Sequence, residues 1–228
     1  MNITGKLATA VFTTTVLVAS VPAAAGNHGG GMSQHSSVGI STPDATESSV
    51  DTSTLDATET ENLVYMREEE KLARDVYITF FETWSLPVFD NIAASEETHT
   101  TQVEDMIEKY RVADPVVDDT VGVFVNPELA SLYTTLVAQG SASSLAALYV
   151  GAAIEEIDMI DLQEAIDATD NADIQQLYEN LMSGSRNHLR AYVGQIEDLG
   201  IVYEAQYLTQ EEVDQIVDTP IERGSRRR

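Results

Sequence analysis

Residues 60–84 read TENLVYMREEEKLARDVYITFFETW. Counted in steps of three and four, Leu63, Met66, Glu70, Ala73, Tyr77, Phe80 and Trp84 fall on one face. That is the core stripe of an amphipathic helix, with a carboxylate in its middle. Ser85-Leu86-Pro87 breaks the pattern because proline cannot continue a helix interior. The same count then resumes over about residues 88–111, through Phe89, Ile92, Glu96, His99, Val103, Met106 and Tyr110, and Asp114-Pro115 closes it.

Two further long helices follow after a gap. Residues 112–126 are a Val-, Gly- and Pro-punctuated link, and Pro127 suits the first turn of a short helix to Ala138, ended by Gly140. A third long helix over about 143–168 carries Leu145, Leu148, Ala152, Glu155, Met159, Leu162 and Ile166. A fourth over about 172–199 carries Ile174, Leu177, Leu181, Gly184, His188, Ala191 and Gln195. Thr209-Gln210-Glu211-Glu212 is a capping box opening a short C-terminal helix. The fold class expected is all-α: a four-helix bundle with a long crossover between the second and third long helices.

Before residue 59 the text is different. Residues 1–25 hold one charge, Lys6, then an apolar run Leu7 to Val21 and the small-residue end Pro22-Ala23-Ala24-Ala25. This is the layout of a secretory signal peptide, and the run is short for a spanning helix. It makes the mature chain secreted, with no membrane span expected in it. Residues 26–58 are rich in Gly, Ser and Thr and poor in large apolar side chains, a composition expected of a disordered tether. His28 and His35 lie in it. The bundle is placed at 59–217 and a flexible tail at 218–228.

Among 228 residues there are 38 Asp and Glu against 12 Lys and Arg, and no Cys. The formal charge of −26 argues against nucleic acid, which needs a basic face, and reads as a halophile-type surface. The absence of Cys excludes thiol catalysis, Fe–S clusters and Cys-ligated zinc. Neither a nucleophile elbow nor a phosphate-binding loop is present.

Each long helix interrupts its apolar stripe with a polar residue: Glu70, then Glu96 and His99 three apart on one face, then Glu155 with Asp158 a turn on, then His188. A lone buried carboxylate is costly unless neutralised or paired. Several such breaks on four helices call for a common partner, and a cation fits. Oxygen and imidazole donors without thiolate suit iron or manganese, with zinc possible. The competing reading makes the carboxylates edge residues paired with Arg74, Arg186 or Arg190, and the histidines satisfied core residues.

The motifs resemble the ferritin-like superfamily. Glu70-Lys71-Leu72-Ala73-Arg74-Asp75-Val76-Tyr77 is similar to its first-helix Glu-x-x-Ala-x-x-x-Tyr, and Glu96-Glu97-Thr98-His99 to its second-helix Glu-x-x-His. The wider text, over about residues 60–217, is similar to a ferritin-like family of undefined function in archaea and bacteria. EEEKLARDVY, IAASEETHTTQVEDMIEKY, IEEIDMIDLQEAI and YENLMSGSRNHLRAY carry that match. The resemblance implies a di-iron-type carboxylate centre: Glu70 and His99 as terminal ligands, Glu96 bridging, Glu155 (with Glu156 its rival) from the third helix, and His188 from the fourth. It implies oxidoreductase chemistry on Fe²⁺, O₂ or peroxide, and leaves an oligomer open. Ser185 departs from the pattern, standing where a second bridging Glu belongs, and Asp158 is the residue that could substitute. That gap keeps open a non-catalytic interaction module with a degenerate site. Tyr77 has two readings, electron transfer or core packing.

Overall fold

A computed structural model describes residues 54–222, and every regular element among them is helical. The segments read as signal peptide and most of the tether, with His28 and His35, lie outside the described residues, as does the end of the tail. The elements are α1 (Ala57–Trp84), α2 (Pro87–Tyr110), α3 (Pro127–Gly140), α4 (Ser144–Asp167), α5 (Ala172–Glu197) and α6 (Gln210–Val217). None of them is long and apolar enough to cross a membrane.

Local chemistry sets the helix ends. Asp56 caps α1, accepting from the Glu59 amide at 2.8 Å while the Glu59 carboxylate accepts from the Asp56 amide at 3.0 Å. This reciprocal cap starts the helix at Ala57. Ala57 and Thr58 are therefore helical, a correction to the tether boundary at 58. Asn126, Ser143 and Asn171 cap α3, α4 and α5, and Thr209 forms the expected box with Glu212 on α6.

Only Ser85 and Leu86 separate α1 from α2, so α2 must turn straight back along α1. The contacts bear this out: Glu70 meets His99 and Tyr77 meets Phe89, one number falling as the other rises. The same antiparallel register joins α4 to α5 through Asp158 with Ser185 and Glu155 with His188. It joins α1 to α4 through Glu59 with Thr169 and Tyr77 with Glu155, and α2 to α5 through Phe89 with Tyr192 and Tyr110 with Asn171. Since α2 and α4 each run against α1, they are parallel to one another, and the chain between them must travel back the length of the helices. Residues 111–126 and α3 make that return, with α3 packed on α1 and α4.

The crossover is held by charges of α1 that look solvated in the sequence. Glu68 accepts from the Val125 amide at 2.6 Å and the Asn126 amide at 3.0 Å. Asp75, with no exposed surface, accepts from Lys71 at 2.5 Å, from Arg74 at 3.0 Å and from the Gly122 amide at 2.9 Å. Arg67 reaches Asp114, Thr100 and Glu104. Buried charges paired and hydrogen-bonded in this way are tolerated, and losing one partner is costly.

The apolar stripes line the interior. Leu63, Val76, Phe80, Phe89, Leu162, Leu181 and Tyr192 are all buried, each stabilising by roughly 1.5–3 kcal/mol relative to exposure. The count on α5 slips after His188: Tyr192, Val193 and Ile196 are buried and Gln195 is exposed. From His188 the buried positions run to Tyr192 and Ile196, two steps of four, so the fixed template drifts by one.

Candidate metal centre

The registers that pair the helices bring the stripe-breaking residues to one level. Glu70 comes from α1, Glu96 and His99 from adjacent turns of α2, Glu155 from α4 and His188 from α5, and all five are buried. His99 Nδ1 lies 2.8 Å from Glu96 Oε2 and 3.2 Å from Glu70 Oε2. His188 Nδ1 lies 2.8 Å from Glu96 Oε1 and 3.3 Å from Glu155 Oε2. The Glu96 carboxylate thus divides its oxygens between two imidazoles whose ring centroids are 5.3 Å apart. Glu96, His99 and His188 each present a ligand atom, and these atoms all lie within 4.8 Å of one another.

The arrangement fits a cation. Despite the short distances, Glu96 Oε2 and His188 Nδ1 make no aligned hydrogen bond, and Glu70 Oε1 has no hydrogen-bond partner. Lone pairs that converge without hydrogen-bonding suit a shared electrophile, and the donor set is oxygen and nitrogen only. This buried Glu/His/His group could hold a metal ion.

The charges respond accordingly. Burial pushes Glu70 up to about 7, against the pull of His99. Burial would also raise Glu96, but the His188 and His99 imidazoles outweigh it and hold it well below the usual range. Burial opposes charge on the imidazoles too, yet Glu96 with Glu155 lifts His188 to about 10, and Glu96 with Glu70 lifts His99 well above its ordinary value. Glu155 is raised, mainly by burial.

Glu155 and Glu156 part company. Glu155 faces His188 and accepts from the Tyr77 hydroxyl at 2.5 Å. Glu156 faces the other way, accepting from Tyr203 at 2.5 Å and from the backbone amides of Gln206, Tyr207 and Leu208. It anchors the segment between α5 and α6. Tyr77 packs on Phe89 and Tyr192 while its hydroxyl orients Glu155.

Asp158 accepts from the Ser185 hydroxyl at 2.5 Å, so the position of the absent Glu is filled by a serine tied to an α4 aspartate. Burial first, then Glu70 and Glu155, raise Asp158 well above its usual value. The arginine pairing considered for the carboxylates is overturned: Arg74 binds Asp75, Glu97 and Asp119, while Arg186 and Arg190 bind Glu222.

Gly184 lies on the expected stripe, whereas Ser95 and Glu69 lay outside the sequence reading. Gly184 sits against His99, where an added Cβ would come 2.3 Å from Cε1 and Nε2, so a mid-helix glycine makes room for the ring. Ser95 Oγ lies 2.8 Å from His188 Nε2. Glu69 is buried beside Asp161, which with burial raises its carboxyl; in the sequence it is one letter in a run of three glutamates. A groove of about 1050 Å³ between α2 and α5 reaches His99 and Ser95, with Gln102, Asn180 and Asn187 on its walls.

The curated "Uncharacterized protein MJ0754" of Methanocaldococcus jannaschii is 50% identical over 169 residues, covering 74% of this chain and 91% of its own. The "Crystal structure of hypothetical protein MJ0754 from Methanococcus jannaschii DSM 2661" superposes with a TM-score of 0.74 at 48% identity, over 77% of this chain and 100% of that one. The family described as "Uncharacterized protein domain (DUF2202)" matches residues 59–220. By family match and by relatedness together, this chain belongs to the DUF2202 family.

Proposed function

We propose that the protein is a secreted metal-binding protein, a ferritin-like four-helix bundle carrying a carboxylate–histidine centre for iron or manganese. The observation that carries the reading is the Glu96 carboxylate, whose two oxygens face two different imidazoles. That makes two half-sites with a shared bridge: Glu70, Glu96 and His99 on one side, and Glu96, Glu155 and His188 on the other. The antiparallel registers and the parallel α2 and α4, joined by a long crossover, support the ferritin-like reading. The apolar leader Leu7 to Val21 supports export.

Glu96 would bridge, Glu70 and Glu155 would hold the flanks, and the imidazoles would close the set through Nδ1. Bound iron or manganese would supply one-electron redox chemistry toward Fe²⁺, O₂ or peroxide. The chain's own part is to fix the donors. Tyr77 holds Glu155, the Tyr77–Phe89–Tyr192 aromatic layer closes one side to water, and the groove between α2 and α5 leads in from the other.

A second reading rests on Ser185. With a serine where the second bridging carboxylate belongs, the bundle would be a non-catalytic interaction module with a degenerate site. Elemental analysis of the purified mature protein and titration with Mn²⁺ and Fe²⁺ separate the two. Stoichiometric binding lost in Glu96→Gln and His188→Gln supports the centre. A metal-free protein whose melting temperature does not move with added Fe²⁺ or Mn²⁺ overturns it.

A further inference from the structure

Hydroxyls inside helices ordinarily bond back to the carbonyl four residues earlier. Thr98 bonds to Ala94 and Thr101 to Glu97 in α2, and Thr79 and Thr83 do the same in α1. Ser95 departs from this habit. Its hydroxyl crosses to α5 and meets His188 Nε2 at 2.8 Å. The same imidazole turns Nδ1 to Glu96 and Glu155. Ser95 is the residue before Glu96, so one turn of α2 carries both the carboxylate at one ring nitrogen and the hydroxyl at the other.

We propose that Ser95 is the positioning residue of His188: by accepting its Nε2–H, the hydroxyl fixes the ring with Nδ1 directed at Glu96 and Glu155. The inference rests on the metal-centre reading for its use, and on the Ser95–His188 contact alone for its geometry. An imidazole that binds a metal through one nitrogen needs its other N–H satisfied, and the partner fixes both tautomer and ring orientation. For His188 the ring is buried and the Ser95 hydroxyl is the recorded partner at Nε2. His99 is placed differently: its Cε1–Nε2 edge is packed against Gly184, where no Cβ stands. On the Nε2 side, one imidazole is held by a hydrogen bond and the other by shape. Ser95 also lines the groove between α2 and α5, so the Nε2 side of His188 meets solvent through this hydroxyl.

The test compares Ser95→Ala, Ser95→Thr and Thr98→Ala, the last removing a hydroxyl of the same helix and groove that bonds only to its own turn in the contacts described. In the metal-free full-length protein, ¹⁵N-edited NMR of the His188 ring is expected to show the Nε2–H exchanging with solvent about tenfold faster in Ser95→Ala, and as in wild type in Ser95→Thr and Thr98→Ala. Titration with Zn²⁺ or Mn²⁺ is expected to show affinity falling roughly 10- to 100-fold in Ser95→Ala, with recovery in Ser95→Thr. Unchanged Nε2–H exchange in Ser95→Ala overturns the positioning role whether or not metal binds. A wild type that binds no metal, with exchange accelerated in Ser95→Ala, overturns the centre and keeps the positioning. Equal affinity losses in Ser95→Ala and Thr98→Ala also overturn it, because a general loosening of the groove would then explain both.

Discussion

Gly184→Ala tests the centre through a single methyl group. The ideal Cβ would stand 2.3 Å from His99 Cε1 and Nε2, where ordinary contact begins near 3.4 Å. The ring must retreat by about 1 Å, and its Nδ1, now 2.8 Å from Glu96 and 3.2 Å from Glu70, moves with it. Metal sites hold their ligands to within about 0.2 Å, so a displacement of this size should cost at least tenfold in affinity, or about 1.4 kcal/mol. Stability should fall by up to about 2 kcal/mol. Alanine gains up to about 1 kcal/mol over glycine inside a helix, set against an overpacking cost of roughly 1–3 kcal/mol. Gly194→Ala on the same helix is the matched control, since its Cβ would meet nothing within 4 Å. It should raise the melting temperature by roughly 2–4 °C and leave metal binding alone. Calorimetric titration with Mn²⁺ and thermal melts of both variants measure all of this. Wild-type affinity in Gly184→Ala, with a rise in melting temperature like that of Gly194→Ala, would refute the claim that Gly184 pins His99 in the site.

Metal binding should release protons. With no metal, burial is outweighed by Glu96 and its neighbours, His188 titrates near 10 and His99 is also raised, so both imidazoles are charged at pH 7 and at least two protons must leave; apparent affinity should rise about a hundredfold per pH unit between 6 and 7, which titration in buffers of different ionisation enthalpy measures directly. The metal-free protein should show the opposite trend. The raised imidazoles contribute fully below about pH 6.5 and that stability is lost as pH rises toward the folded value near 10 of His188, while Glu70 at about 7 also loses its favoured neutral form; melts in chelator from pH 6 to 9 should fall steadily, and a rise would sink the assignment. Glu156→Ala strips the acceptor from three backbone amides and the Tyr203 hydroxyl, at about 1–3 kcal/mol for each donor left dry; protease should nick residues 199–209 first, with metal stoichiometry intact. Tyr77→Phe removes the 2.5 Å bond to Glu155 and should cost roughly 1–2 kcal/mol in melts while weakening Mn²⁺ binding; an effect on neither would mean that Glu155 is held by packing alone.

The helices and the buried residues of the candidate site were legible because both obey one periodicity. Glu70, Glu96, His99, Glu155 and His188 sit at positions where a stripe must be apolar, and the structure buries all five. Glu155 was separable from Glu156 on the same ground, one falling on the stripe and the other a step off it. Gly184 fell on the same stripe, but its use against His99, like that of Ser95, could not be read this way. A glycine's use depends on the ring across from it, and a serine one step off the stripe looks like any solvated hydroxyl until α5 is placed beside it. Asp158 was legible as a neighbour of Glu155, but its hydrogen bond to Ser185 needed the register of α4 on α5.

The charges of α1 show where single-stripe reasoning ends. It assumes one buried face per helix, but α1 is covered by α2, α4, α3 and the crossover, so Arg67, Glu68, Lys71, Arg74 and Asp75 are buried as well. These belong to two physical classes. Lys71, Arg74 and Asp75 neutralise one another, and Glu68 is satisfied by the amides that open α3, so their burial fastens the crossover. Glu70, Glu96, Glu155 and Asp158 have two imidazoles for balance, and oxygens of Glu70 and Glu96 stay without a hydrogen bond. Four carboxyls against two imidazoles leave an acidic excess in a buried site. Protons can relieve it, as the raised values of Glu70, Glu155 and Asp158 show, and a divalent cation would relieve it while using the orphaned oxygens. A contest between protons and cation would therefore be built into the proposed centre, and the pH dependence of binding would be its most direct readout.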